Sequence, residues 1–326
     1  MTQLCRAWVS DTPGIDGMTL VTRTMPEPGP GQLLVAVAAA ALNFSDLLML
    51  IDSYQIKPAR PFIPGQEIAG TVVACGSDGG FTAGDRVAGK VHWGGFSSHA
   101  VMRADMAIRL HAATPFDVAA ALPVAYTTAA VTLTECTSAN TDDSVLVLAG
   151  AGGIGKATID VARALGARVL AGVGDMAKAA TVRAQGAHGV IDYSTAGWLA
   201  QAREFDPRGG LSVVVDPVGG PLALDALRCL GWMGRYMVVG FASGEIAQIP
   251  SNRLLLKRAS AIGVYWDHDR DGAMLKGITE RISGWLADDV IHPHVGGRYR
   301  FVDAPQALSA LRSRRTTGKV VLMLDS

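Results

Sequence analysis

The segment that most narrows the fold is an apolar run at 144–149 that passes directly into Gly150-Ala151-Gly152-Gly153-Ile154-Gly155 and then into a helix-length stretch, 156–165. A run this apolar reads as a strand buried on both faces. Between such a strand and a helix, GxGxxG has a defined use. The first glycine permits a tight turn, the second lets backbone approach a pyrophosphate, and the third lets the helix pack closely on the strand. The free N–H groups and positive dipole end of the helix then face the phosphates of a dinucleotide. A glycine turn alone can equally be a structural turn, so its surroundings decide.

Those surroundings repeat one pattern. Apolar runs at 168–173, 189–191, 211–215, 235–239 and 261–264 alternate with helix-length segments. That alternation predicts βαβ units and a doubly wound parallel sheet of the Rossmann type, an α/β fold. The first third differs, with short strands at 33–41, 68–75, 86–91 and 97–101 between Gly/Pro turns, which predicts antiparallel β structure. Helices are expected at 271–287 and 304–313, and a closing strand at 319–324 is expected to return to the first domain. A chain of 326 residues has room for two domains. The expected division is a dinucleotide-binding domain, 121–265, enclosed by a discontinuous substrate domain, 1–120 and 266–326.

Charge removes one class of partner. Lys+Arg 29 against Asp+Glu 29 leaves a formal charge of zero, with no surplus of positive potential for nucleic acid. The mean hydropathy of +0.26 invites a membrane reading. However, the apolar run 33–42 ends at Asn43, about half the ~20 residues that a spanning helix needs. The N-terminus lacks a basic segment followed by an apolar stretch, so the expected location is the cytoplasm. Cys5, Cys75, Cys136 and Cys229 form no CxxC pair and read as core residues. The seven histidines include one close pair, His292 and His294, with no partner at metal-ligand spacing.

The second strand indicates which dinucleotide to expect. A cofactor lacking a 2′-phosphate is normally met by an acidic residue at the tip of this strand, which here ends Ala171-Gly172-Val173-Gly174. Lys178 follows and can pair with a 2′-phosphate, whereas Asp175 would repel one. NADPH is the expected cofactor and NADH stays open.

Several stretches together resemble the medium-chain dehydrogenase/reductase superfamily, and within it the zinc-independent, zeta-crystallin-like quinone oxidoreductases. They are Asn43-Phe44-Ser45-Asp46, Pro64-Gly65-Gln66-Glu67-Ile68-Ala69-Gly70, Ala83-Gly84-Asp85-Arg86-Val87, Leu122-Pro123-Val124-Ala125-Tyr126-Thr127-Thr128, the glycine turn, and Gly318-Lys319-Val320-Val321-Leu322. The resemblance covers nearly the whole chain and implies a GroES-like substrate domain beside the nucleotide domain. It implies that Thr128 packs against the nicotinamide, that Gly150, Gly152, Gly153, Ile154 and Gly155 hold the phosphates, and that Gly174, Asp175, Lys178 and Tyr193 lie at the adenosine end. Gly240, Phe241 and Val264 match strand-end positions facing the ring carboxamide. It further implies a homodimer paired through the nucleotide domain.

In the zinc alcohol dehydrogenases of the superfamily, the catalytic ligands stand at positions matched here by Asn43, Gln66 and Val124. Two amides and a valine do not bind zinc, which takes thiolate, imidazole or carboxylate. No metal is therefore expected. Chemistry without a metal calls for an acceptor that is already electrophilic, so the resemblance implies hydride transfer to a quinone or an α,β-unsaturated carbonyl. Asn43 and Tyr54 match the residues lining the acceptor pocket, with Asn43 expected to donate to the acceptor oxygen and Tyr54 to donate a hydrogen bond or shield the nicotinamide. A turn role for Asn43 and a wall role for Tyr54 are the plainer readings. Two other functions stay open: reduction of enoyl thioesters, as in similar polyketide synthase domains, and nucleotide binding without catalysis.

Overall fold

The computed structural model describes residues 3–324, which form two compact units. The first contains the chain up to Val124 together with the part from Pro293 onward, and the second is Ala125–His292. In the first unit the strands are β1 (Leu4–Ser10), β2 (Met18–Thr24), β3 (Gln32–Leu42), β4 (Glu67–Cys75), β5 (Arg86–Lys90), β6 (His99–Arg103) and β7 (Ala107–Arg109). The second unit contains β8 (Ser144–Val147), β9 (Arg168–Val173), β10 (Gly189–Asp192), β11 (Leu211–Asp216), β12 (Leu230–Val238) and β13 (Ser260–Gly263). The chain then re-enters the first unit with β14 (Val295–Arg300) and β15 (Lys319–Met323).

The second unit holds a six-stranded sheet in the order β10-β9-β8-β11-β12-β13, every pairing parallel. This is the 3-2-1-4-5-6 order of the doubly wound nucleotide fold, and the order reverses between β8 and β11. Ligands of such sheets bind outside the carboxyl ends of the strands at that reversal. The glycine turn follows β8 directly. Full burial of Val145, Leu146 and Val147 explains why this strand carries no polar alternation.

In the first unit a seven-stranded sheet runs β14-β15-β3-β4-β5-β7, with β6 also paired to β3. The expected return of the last strand is present, since β15 pairs antiparallel with β3, Leu42 facing Val320. Beneath the sheet lies a core of Leu33, Val35, Ile68, Val72, Phe96 and Leu322, all 1% exposed or less.

The division between the units differs from the sequence expectation, which ended the nucleotide domain at 265. The second unit runs on to His292 and takes in the helix His268–Ala287. That helix buries Leu275, Ile278 and Ile282, and just before it the Trp266 indole donates to the Thr128 hydroxyl at 3.1 Å. Among the described residues no helix is long and apolar enough to cross a membrane.

Candidate active site

The phosphate turn is built as its sequence requires. Gly150 N donates to Gly172 O at 2.8 Å, joining the turn to β9, and Gly152 N donates to Ala149 O at 2.8 Å. Ala149 takes a left-handed φ of +48°, an uncommon conformation for a residue with a side chain. The helix Gly153–Ala164 starts there with Gly152 as its N-cap, and no side chain caps it. Its first turn, which includes Gly153, Ile154 and Gly155, therefore offers N–H groups without intrahelical partners. At Gly155 an added Cβ would lie 2.2 Å from Ala149 O and 2.7 Å from Gly150 Cα, so only glycine lets helix and turn meet. A cradle of bare backbone and uncapped donors fits a pyrophosphate.

The residues expected around the adenosine come together at the end of β9. Tyr193 N donates to Val173 O at 3.0 Å, and a Cβ added at Gly174 would meet the Tyr193 ring at 3.3 Å. Asp175 is exposed, and its carboxylate accepts from Ala177 N at 2.8 Å, capping the short turn Met176–Lys178. Lys178 closes that turn, half-buried.

Thr128 lies in the helix Ala125–Ala130, 9% exposed. Gly240, Phe241 and Val264 stand past the carboxyl ends of β12 and β13, Val264 N donating to Val238 O at 2.9 Å. One residue that sequence reasoning missed, Asp216 at the end of β11, organises these loops. Its side chain accepts from Val218 N at 2.7 Å, Gly219 N at 2.9 Å and the Tyr236 hydroxyl, while its carbonyl accepts from Val239 N at 2.9 Å. Burial, with the Asp216 charge beside it, pushes the Tyr236 phenol well above its ordinary range. An acid directly after three buried valines, Val213, Val214 and Val215, was the available signal, because a buried charge must find donors.

In the first unit, the three positions matching zinc ligands converge on Glu67. Asn43 Nδ2 donates to Glu67 Oε1 at 2.9 Å, Val124 N donates to Glu67 Oε2 at 2.8 Å, and Gln66 is the adjacent residue, bonded to the Ser45 hydroxyl. The Glu67 carboxylate is further paired with Lys319. Among the described residues no group of three or more His, Cys, Asp or Glu is placed to hold a metal ion, and this donor set does not fit zinc. Asn43 also caps the helix Phe44–Leu50, its backbone N donating to Asp46 Oδ2 at 2.7 Å. Tyr54 lies in the loop after that helix, half-buried against the core of the first unit. Glu67 and Lys319 were missed as site residues, although charges inside apolar strands signal a buried pair.

Burial pushes the Asp46 carboxyl up to about 7, opposed by the Asn43 backbone N–H and the Lys319 charge. The folded chain therefore holds this proton more tightly than the unfolded chain, whose carboxyl has the ordinary value of 3.8. The resulting stability is full below the unfolded value and is lost as the pH rises through about 7. Asp46→Asn removes the titration but keeps an acceptor for Asn43 N. In urea denaturation, its stability relative to the parent should improve by up to roughly 4 kcal/mol from about pH 4 to about pH 8. Gly155→Ala should weaken binding of a nicotinamide dinucleotide at least about tenfold in titration calorimetry, because its Cβ strikes backbone at the turn.

Comparison with known proteins agrees with this architecture. Residues 29–112 match the family model described as the alcohol dehydrogenase GroES-like domain, and 153–279 match that described as zinc-binding dehydrogenase. Quinone oxidoreductase-like protein 2 of Rattus norvegicus is 34% identical over 309 residues, covering 93% of this chain and 88% of the relative. A mycobacterial protein solved in complex with NADPH superposes with a TM-score of 0.90 at 30% identity, covering 98% of this chain and 100% of its own. Escherichia coli quinone oxidoreductase complexed with NADPH gives 0.89 at 28% identity, covering 98% and 99%. The chain belongs to the quinone oxidoreductase-like family of the medium-chain dehydrogenase/reductase superfamily.

Proposed function

We propose that the chain moves a hydride from NADPH to a quinone or an α,β-unsaturated carbonyl, with no metal taking part. The observation that carries this reading is the amide, amide and valine set, Asn43, Gln66 and Val124, at the positions where a zinc enzyme keeps its ligands. When bound, the dinucleotide supplies the hydride. Gly150, Gly152, Gly153, Ile154 and Gly155 hold its phosphates; Gly174, Asp175, Lys178 and Tyr193 hold the adenosine end. Thr128, Gly240, Phe241 and Val264 orient the ring. Asn43 donates a hydrogen bond to the acceptor oxygen as charge grows there, and Tyr54 helps to enclose the acceptor.

NADPH is preferred over NADH because Lys178 supplies a cation near the end of β9 and the Asp175 carboxylate is engaged by its own loop. Both solved neighbours described above are complexes with NADPH. All four cysteines are free, which fits a reducing compartment, the cytoplasm. The chain acts as a homodimer joined along β13, an edge strand with Trp232, Leu255 and Leu256 more than 70% exposed on the adjoining segments.

Stopped-flow measurement of NADPH oxidation by a diffusible naphthoquinone and by an enone tests the reaction. Tight NADPH binding with no turnover on either acceptor would overturn the reading. Lys178→Ala should raise KM for NADPH roughly tenfold or more, the worth of a charge-assisted hydrogen bond, and leave KM for NADH within about twofold. Equal effects on both would remove the lysine from the phosphate.

A further inference from the structure

The Asn43 side chain is held at both ends by one buried ion pair. Lys319 Nζ donates to Asn43 Oδ1 at 2.8 Å and to Leu42 O at 2.8 Å, and its third hydrogen goes to Glu67 Oε1. Asn43 Nδ2 donates to that same Glu67 oxygen at 2.9 Å. Val124 N, bonded to the other oxygen at 2.8 Å, keeps the carboxylate from turning. Glu67 is fully buried and Lys319 is 5% exposed. An asparagine that only caps a helix needs a backbone N–H at the third helical position, which Asp46 already provides. A buried ion pair is a poor device for stability, since its desolvation offsets its attraction. What it does secure is direction. An amide has near-identical ends, and here a cation fixes the oxygen and an anion fixes the nitrogen.

An amide nitrogen carries two hydrogens. Glu67 takes one, and the ammonium at Oδ1 draws electron density away from the nitrogen, strengthening the second as a donor. We propose that Glu67 and Lys319 are positioning residues for the reduction: they hold Asn43 so that it presents an N–H, and never its carbonyl, to the oxygen of a quinone or enone. This rests on the functional reading above and deepens it, because such a clamp selects acceptors with a carbonyl oxygen that takes up charge.

Removing either charge alone strands the other in the core, so the test variant is the double substitution Glu67→Gln with Lys319→Met, which removes both at nearly constant volume. With a diffusible naphthoquinone, kcat should fall about 100-fold, the usual effect of losing one oxyanion donor, while the NADPH Kd stays within about twofold. Quinone Kd measured with NADP⁺ present, where no hydride can move, should rise at least about tenfold. Lys319→Arg, which keeps a cation, should lose less than the double variant. A folded double variant with parental kcat and quinone Kd overturns the clamp. A parent that binds quinone with NADP⁺ yet never oxidises NADPH overturns the functional reading and leaves the clamp to be judged by binding. A parent that neither binds nor reduces these acceptors overturns both.

If the double variant does not fold, the parent alone gives an answer. In ¹⁵N-labelled protein the Asn43 side-chain signals, identified by their loss in Asn43→Asp, should split on adding quinone with NADP⁺. One Nδ2 proton should shift while the other, bonded to Glu67, stays. Neither proton moving overturns the proposal.

Discussion

The first unit closes on the ion pair between Glu67 and Lys319. Glu67 opens β4, facing Ala41, and Lys319 opens β15, whose next residue faces Leu42, so the pair straddles the end of β3. Asn43 is the residue that follows that end. Its amide direction follows from two opposite charges brought from either side of one strand, while Asp46 fixes its helix-capping geometry. Their partners are nearly all internal, which is the condition under which charges can be buried at all.

The second unit uses fixed dipoles where the first uses charge. Its phosphate turn is bare backbone, and its strand-end loops hang on the single carboxylate of Asp216. With a formal charge of zero the chain has no net positive charge to gather an anionic cofactor. Attraction for phosphates must come from the end of the helix Gly153–Ala164 and from side chains within a few ångströms.

What could be read from residues alone follows from range. The glycine turn, its strand and its helix are neighbours in sequence, and the apolar runs of β9, β11 and β13 are each punctuated by turn residues, so the nucleotide fold was legible. Residue type also shows that Asn43, Gln66 and Val124 supply no zinc donor, although only the family resemblance marks them as the positions to ask about. The pairing of Glu67 with Lys319 was not legible, since 252 residues separate them and nothing local announces a partner. The strand β14 was hidden by Gly296 and Gly297, which lower strand propensity but allow close approach: a Cβ at Gly296 would collide with the Thr317 backbone. The helix His268–Ala287 was legible as a helix, but its place in the second unit rests on long-range packing of Leu275, Ile278 and Ile282, which no local pattern announces.

The discontinuity of the first unit sets an order of events on the ribosome. β15 emerges after all of Ala125–His292, so the second unit can complete its sheet while the seven-stranded sheet still lacks two members. Through that interval Glu67 is an acid without its ammonium, and β3 is a strand with an open edge. Until β15 has emerged, the nascent chain thus carries a vacancy beside β3, which closes when Lys319 reaches Glu67.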